Sequence, residues 1–149
     1  MAAYARAPVA RSAGGWVVAG NTATLAAIIS FPPMAGGAGG TVTHVGVGSG
    51  AAGATELDFF MACTPNLLVG AGTTPKLDTG TVITQAVDAM SDAAATAFLK
   101  LFFQNVAWAN VGNAGGLPAS TAAGNLYLSL HTASPGEGGN QGSNEMTYT

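Results

Sequence analysis

Most of the chain alternates apolar and polar residues over short runs cut by glycine-rich turns, and one segment departs from that pattern. SDAAATAFLKLFFQNVAW, residues 91–108, carries its apolar side chains at three- and four-residue spacing instead, which predicts a helix. Ser91 or Asp92 can accept hydrogen bonds from the free N–H groups of its first turn, and the alanines that follow are the strongest helix formers. Phe98, Leu101, Phe102 and Asn105 form one stripe, and Leu99, Phe103 and Val106 fill the stripe beside it. Only Thr96, Lys100 and Gln104 remain for a polar edge, so the helix needs cover on most sides. Phe98, Leu101, Phe102 and Val106 are expected to pack on strands.

Everything else reads as strand and turn. Ala2 to Ala10 contains Pro8, which has no N–H to give a central ladder, and predicts an edge strand. Trp16 to Val18 follows a Gly14-Gly15 turn, and Thr22 to Phe31 forms a β-branched and aliphatic run that Pro32-Pro33 stops. Thr41 to Gly48 alternates, with Val42, His44 and Gly46 on one face and Thr43, Val45 and Val47 on the other. Ala54 to Ala62 reads as its hairpin partner, ended by Thr64-Pro65-Asn66. Leu67 to Val69 and Thr81 to Gln85 complete a β block, with turns at Gly70 to Pro75 and Lys76 to Gly80. Asn125 to Thr132 alternates most cleanly, and Met146 to Thr149 begins a further strand. The fold class predicted is mainly β: an antiparallel sandwich or barrel closed by one packed α-helix at about residues 91–108, in a single domain spanning 1–149.

Composition changes this picture in one respect. Charged residues are 7% of the 149, where an ordinary soluble domain has about 25%. Strand edges are normally kept apart by lysine and glutamate, and this chain has two lysines and two arginines. Neighbouring subunits are therefore expected to cover part of the surface, as in a homo-oligomer. Four scattered cations and a net charge of −3 give no footprint for a phosphate backbone, so no nucleic-acid partner is expected. No basic stretch followed by an apolar run opens the chain, and no secretory signal is expected. Lys100, Gln104, Asn105 and Asn110 interrupt the apolar stretch at 93–111, so membrane insertion is not expected either.

Candidate chemistry is sparse. GSGAAG at 48–53 matches the glycine pattern of dinucleotide loops, but no crossover helix follows it. His44 and His131 lie within strands, where a backbone carbonyl or solvent satisfies most histidines. Glu56, Asp58, Asp78 and Asp88 show no metal-ligand spacing with them, so neither a metal nor another cofactor is expected. Cys63 has no basic flank to activate it and reads as an inert buried thiol, and Glu56 and Asp58 read as a solvated face. Tyr4, Trp16, Tyr127 and Tyr148 could form a platform for sugar rings, or be core and interface.

NLYLSLHTASPGEGGNQGSNEMTYT, residues 125–149, closely resembles the segment LYxxLHTAxPGExGxQxxxExxYTxYARxxVxR of a family of small virion structural proteins of tailed phages and prophages, usually described as tail-fibre proteins or related virion components. In that family the segment continues into a GW strand, a strand ending in FP and a THxGVG strand. Here the continuation stands first, as Tyr4-Ala5-Arg6, Val9-Ala10-Arg11, Gly15-Trp16, Phe31-Pro32 and Thr43 to Gly48. The likeness thus covers nearly the whole chain in rotated order, as a circular permutant joined at about residues 86–90 would give. Met90-Ser91-Asp92 then resembles an original start followed by its helix cap, and 146–149 and 4–9 resemble two parts of one strand.

The resemblance implies a non-enzymatic bacteriophage structural protein: a capsid decoration, cement or tail-fibre-associated subunit. It would bind copies of itself and other virion proteins, and would reside in the virion after synthesis in the host cytoplasm. The alternative is a tail-fibre module that binds a host receptor or surface glycan. Its ligand or partner loop would be residues 134–144, through Ser134, Glu137, Asn140, Gln141 and Asn144.

Overall fold

The computed structural model describes residues 3–84, 90–112 and 115–149, with residues 82–84 described by backbone alone. The described part is mainly β, with antiparallel sheets, one α-helix and no sheet closed into a barrel. It falls into two compact units, one of Met1–Pro8, Ile29–Leu77 and Leu126–Thr149, the other of Val9–Ile28 and Asp78–Asn125. The predicted joint lies almost wholly at residues 85–89, outside the described residues.

The first unit is built on a four-stranded sheet. It contains β1 (Ala7–Ala10), β5 (Gly40–Gly48), β6 (Leu57–Val69) and β9 (Asn125–His131), in the order β1-β9-β5-β6. Pro8 is exposed on edge strand β1, where a missing N–H costs no ladder bond. β5 and β6 form the expected hairpin, but β6 does not stop at Pro65. The register jumps from Val42↔Leu67 to His44↔Ala62, so Cys63 to Asn66 bulge out opposite a single residue and the strand resumes through Leu67 to Val69. Along β5 the clean two-face split is not kept: Val45 to Gly48 are all buried, so both faces are covered over this stretch. A short pair, β4 (Ile29–Ser30) with β7 (Lys76–Leu77), completes this unit. Phe31, Met34, Val42, Val45, Leu128 and Leu130 are among its core residues.

In the second unit β2 (Trp16–Ala19), β3 (Thr22–Leu25) and β8 (Val82–Thr84) form an antiparallel sheet in that order. The run at 22–31 is therefore not one strand. It breaks after Leu25, and its second part, β4, pairs with β7 in a different sheet. Helix α1 (Asp92–Gln104) packs on β2 and β3. Ser91 is its N-cap, with Oγ accepting from Ala94 N–H at 3.3 Å.

The helix ends earlier than predicted. Asn105 adopts the left-handed conformation (φ 55°), and its amide group exchanges two hydrogen bonds with the backbone of Ser120 at 3.0 and 2.9 Å. The stripe that is fully buried is also the other one. Ala95, Leu99 and Phe103 face the sheet, with the Phe103 ring 4.6 Å from Trp16, whereas Phe98, Leu101 and Phe102 are half-buried and Val106 is 46% exposed. Both stripes have helical spacing, and only the sheet beneath decides between them. The C-terminal carbonyls, with no basic residue in the last turn, are met by Arg11, which donates to Phe102 O at 2.7 Å and Leu101 O at 2.8 Å.

Candidate functional site

The densest polar cluster in the first unit is centred on Arg6, whose side chain is 2% exposed. Nε and Nη2 reach the two carboxylate oxygens of Glu145 at 2.7 Å each, a two-pronged ion pair. The remaining donors go to Gly53 O at 2.7 Å, Gly50 O at 2.9 Å and Thr55 Oγ1 at 3.0 Å, with Gln141 Oε1 at 3.4 Å. Every donor direction of the guanidinium is used. Gly48 to Gly53, the stretch with the dinucleotide-like glycine pattern, therefore wraps an internal cation with its carbonyls. Phosphate loops do the reverse, presenting N–H groups to an anion.

Gln141 fastens this loop from the other side. Its Oε1 accepts from Thr55 Oγ1 at 2.7 Å and Gly50 N–H at 2.9 Å, and its Nε2 donates to Tyr127 O at 3.0 Å. It is 0% exposed, which removes it from the ligand loop expected at 134–144. The loop's polar composition predicts solvation, but an amide with partners on three sides can be buried at little cost. The other loop residues are nearer the surface: Ser134, Glu137 and Asn144 are exposed and Asn140 is half-buried. Three of them are engaged within the loop: Asn144 Nδ2 donates to Ser134 O at 3.0 Å, Ser134 Oγ accepts from Gly136 N–H at 3.3 Å, and Asn140 Oδ1 accepts from Gly142 N–H at 2.9 Å.

Beside the Arg6 cluster, Ser129 Oγ and His131 Nε2 stand 2.9 Å apart, and His131 Nδ1 is 2.8 Å from Ser143 O. A carbonyl can only accept, so Nδ1 carries the proton and Nε2 accepts from the serine hydroxyl. The pair has the atoms of a serine–histidine dyad, yet both residues are 0% exposed. Gly46 seals them, since a Cβ there would lie 2.6 Å from both Ser129 Oγ and His131 Nε2. Burial pushes the His131 pKa below its ordinary value, opposed by the Ser143 carbonyl and the Glu145 charge. His44, directly across the ladder, bonds to Thr43 Oγ1 at 2.9 Å through Nδ1.

Tyr4 completes the cluster. Its hydroxyl oxygen accepts from Leu130 N–H at 2.9 Å, and burial pushes the phenol pKa far up, so it stays protonated. Its ring stacks with Phe31 and meets Tyr148 edge-on at 5.5 Å. With Trp16 and Tyr148 buried, three of the four aromatics considered for a sugar platform are spent on packing. Cys63 is half-buried and burial raises its thiol pKa, which opposes thiolate formation. Among the described residues no three histidines, cysteines or carboxylates gather as a metal site would require. No described helix is long and apolar enough to cross a membrane.

Two open grooves flank α1 in the second unit. One, of about 480 Å³, is lined chiefly by alanines with Lys100 and Trp108; the other, of about 330 Å³, by Phe98, Phe102, Leu117 and Arg11. Among the described residues each is lined by one cation, Lys100 or Arg11, and Arg11 commits its donors to carbonyls.

Set against protein-family models, curated proteins and solved structures, the chain matches none. Arg6, Thr55 and Glu145 join the cluster although no local chemical pattern marks them. Two of these three have another signal: Arg6 and Glu145, with Tyr4, His131 and Gln141, occupy specified positions of the segment LYxxLHTAxPGExGxQxxxExxYTxYARxxVxR.

Proposed function

We propose that this chain is a non-enzymatic virion structural protein of a tailed phage, a decoration, cement or tail-fibre-associated subunit that works by binding copies of itself and other virion proteins. One observation carries the proposal. Of the specified polar residues of the phage-like segment, Arg6, Gln141 and Glu145 join in one hydrogen-bonded cluster, and His131, buried beside it, is satisfied by Ser129 and the Ser143 carbonyl. A motif of that kind specifies a framework. A motif of an active site would leave at least one group facing a cleft.

Two further features support it. Val17, Ile28 and Leu68 are 50%, 58% and 74% exposed in a chain with few charges, which leaves apolar side chains that a partner could cover. The two ends of the described chain also share one edge of β9. Met146 N–H donates to Leu130 O at 2.8 Å, β1 pairs further along, and Tyr4 N–H donates to Tyr148 O at 3.1 Å between them. A rotated family order calls for this alignment, because the two segments would once have been one strand. The loop at 134–144 gives less support to the receptor or glycan alternative, since its amides are engaged internally.

Light scattering and electron microscopy of the purified protein test the proposal. Symmetric oligomers or lattices are expected, together with binding to tailed-phage particles stripped of their accessory proteins. A strictly monomeric protein that binds no such particle would overturn it.

A further inference from the structure

Within the first unit, residues 143–149 are seated as a bound peptide would be. Met146 and Tyr148 are 2% and 6% exposed, while Thr147 and Thr149 face solvent, so alternate side chains fill the seat. The backbone is held by partners outside the segment: Asn144 O accepts from Thr132 N–H at 2.9 Å, Met146 N–H donates to Leu130 O at 2.8 Å, and Thr149 exchanges hydrogen bonds with Gly36. Tyr148 donates its hydroxyl to Pro32 O, and Glu145 supplies the carboxylate for Arg6. The turn that leads into the segment is tied by local bonds, from Ser143 N–H to Asn140 O at 2.9 Å, from Asn140 N–H to Ser143 Oγ at 3.0 Å and from Glu145 N–H to Gly142 O at 3.4 Å. Just before it the chain is fixed again, by Gln141 on Thr55, Gly50 and Tyr127. Gly142 lies exposed between the two fixed parts.

We infer that residues 143–149 are exchanged between two copies of this chain, with Gly142 as the hinge, each copy filling the other's seat beside β9. This inference rests on the self-assembly proposed above. The seat selects its occupant by charge and shape. It presents the buried Arg6 guanidinium, which calls for a carboxylate held by two prongs, and beyond it the two apolar sites that take Met146 and Tyr148. A second copy carries a carboxylate and two apolar side chains at that same spacing. Each of the bonds to partners outside the segment is remade in the exchanged pair, and the local turn bonds are what is lost. A short tether gives the segment an effective concentration on the order of millimolar for its own seat, which copies packed in an assembly match. Each copy gives and receives one segment, so the exchange closes as a two-fold pair.

Gly36→Cys and Thr149→Cys report the exchange in a Cys63→Ser background, since a Cβ on Gly36 would lie 3.7 Å from Thr149 Oγ1. A chain carrying Gly36→Cys and a chain carrying Thr149→Cys, co-expressed and mildly oxidised, are expected to give disulfide-linked heterodimers on a non-reducing gel. The variant carrying both cysteines is expected to run as a covalent dimer. A double variant whose disulfide closes within one chain, with no heterodimer from the co-expressed pair and a wild type that is still an oligomer, would overturn the exchange and leave self-assembly standing. A wild-type monomer at high concentration would overturn both.

Discussion

Arg6 and Glu145 stand 139 residues apart in the chain and are joined by two hydrogen bonds of 2.7 Å each. The pair ties the segment entering β1 to the segment that runs along β9, and it is buried on the arginine side. Removing one partner leaves the other charged and desolvated, at a cost of about 3–5 kcal/mol. Glu145→Ala and Arg6→Ala are each expected to lower unfolding free energy in urea by that amount. The double variant should fall well short of their sum. Arg6→Lys should rescue little, because a single ammonium cannot reach the two carboxylate oxygens and the glycine carbonyls together.

His131 makes stability depend on pH. Its folded pKa lies below the ordinary 6.5, so as pH falls below 6.5 the unfolded chain takes up a proton that the folded protein still refuses. Stability is therefore full above 6.5 and declines as pH falls through and below it. Glu145 partly offsets the cost of the charge, while Arg6 and His44 add to it. Melting temperatures measured between about pH 7 and pH 5 should decline, and His131→Gln should flatten that part of the profile. An unchanged slope in the variant would assign the effect to other groups.

Gly48 and Gly138 should respond oppositely to alanine. A Cβ on Gly48 would lie 2.1 Å from Glu56 O and 2.4 Å from Gln141 Cδ, and the backbone oxygen cannot move aside without breaking the β5–β6 pairing. Around Gly138 the space is open and φ lies outside the left-handed region. Gly48→Ala is expected to destabilise by at least about 1–3 kcal/mol, as overpacking does. Gly138→Ala should be neutral or slightly stabilising, through a less flexible unfolded chain. Chemical denaturation of both variants checks the contrast.

The helix gives a second contrast. Phe103 is fully buried against Trp16 and Val106 is 46% exposed, although sequence spacing places both on one apolar stripe. Phe103→Ala should cost about 3–5 kcal/mol, and Val106→Ala under about 1 kcal/mol. Ser91→Ala, which removes the N-cap acceptor, should cost about 1 kcal/mol. Equal losses at 103 and 106 would mean that a partner covers Val106.

Local chemistry was legible in the sequence because local rules decide it. Period-two alternation marked β5 and β9, the serine and alanines marked where α1 begins, and proline placed β1 at an edge. The mainly β class with one helix follows from those periods alone. What needed the tertiary structure is every choice between locally equivalent options. Two stripes of α1 had helical spacing, and the sheet chose Ala95, Leu99 and Phe103. Pro65 should have ended a strand, but a bulge absorbed it, since β5 continued to offer partners beyond. Gln141 lay in a loop of solvent-loving composition and is buried, because Thr55, Gly50 and Tyr127, distant in sequence, supply its hydrogen bonds. Composition reports what a side chain prefers when alone, and burial of a polar group depends on partners that only the folded chain brings within 3 Å.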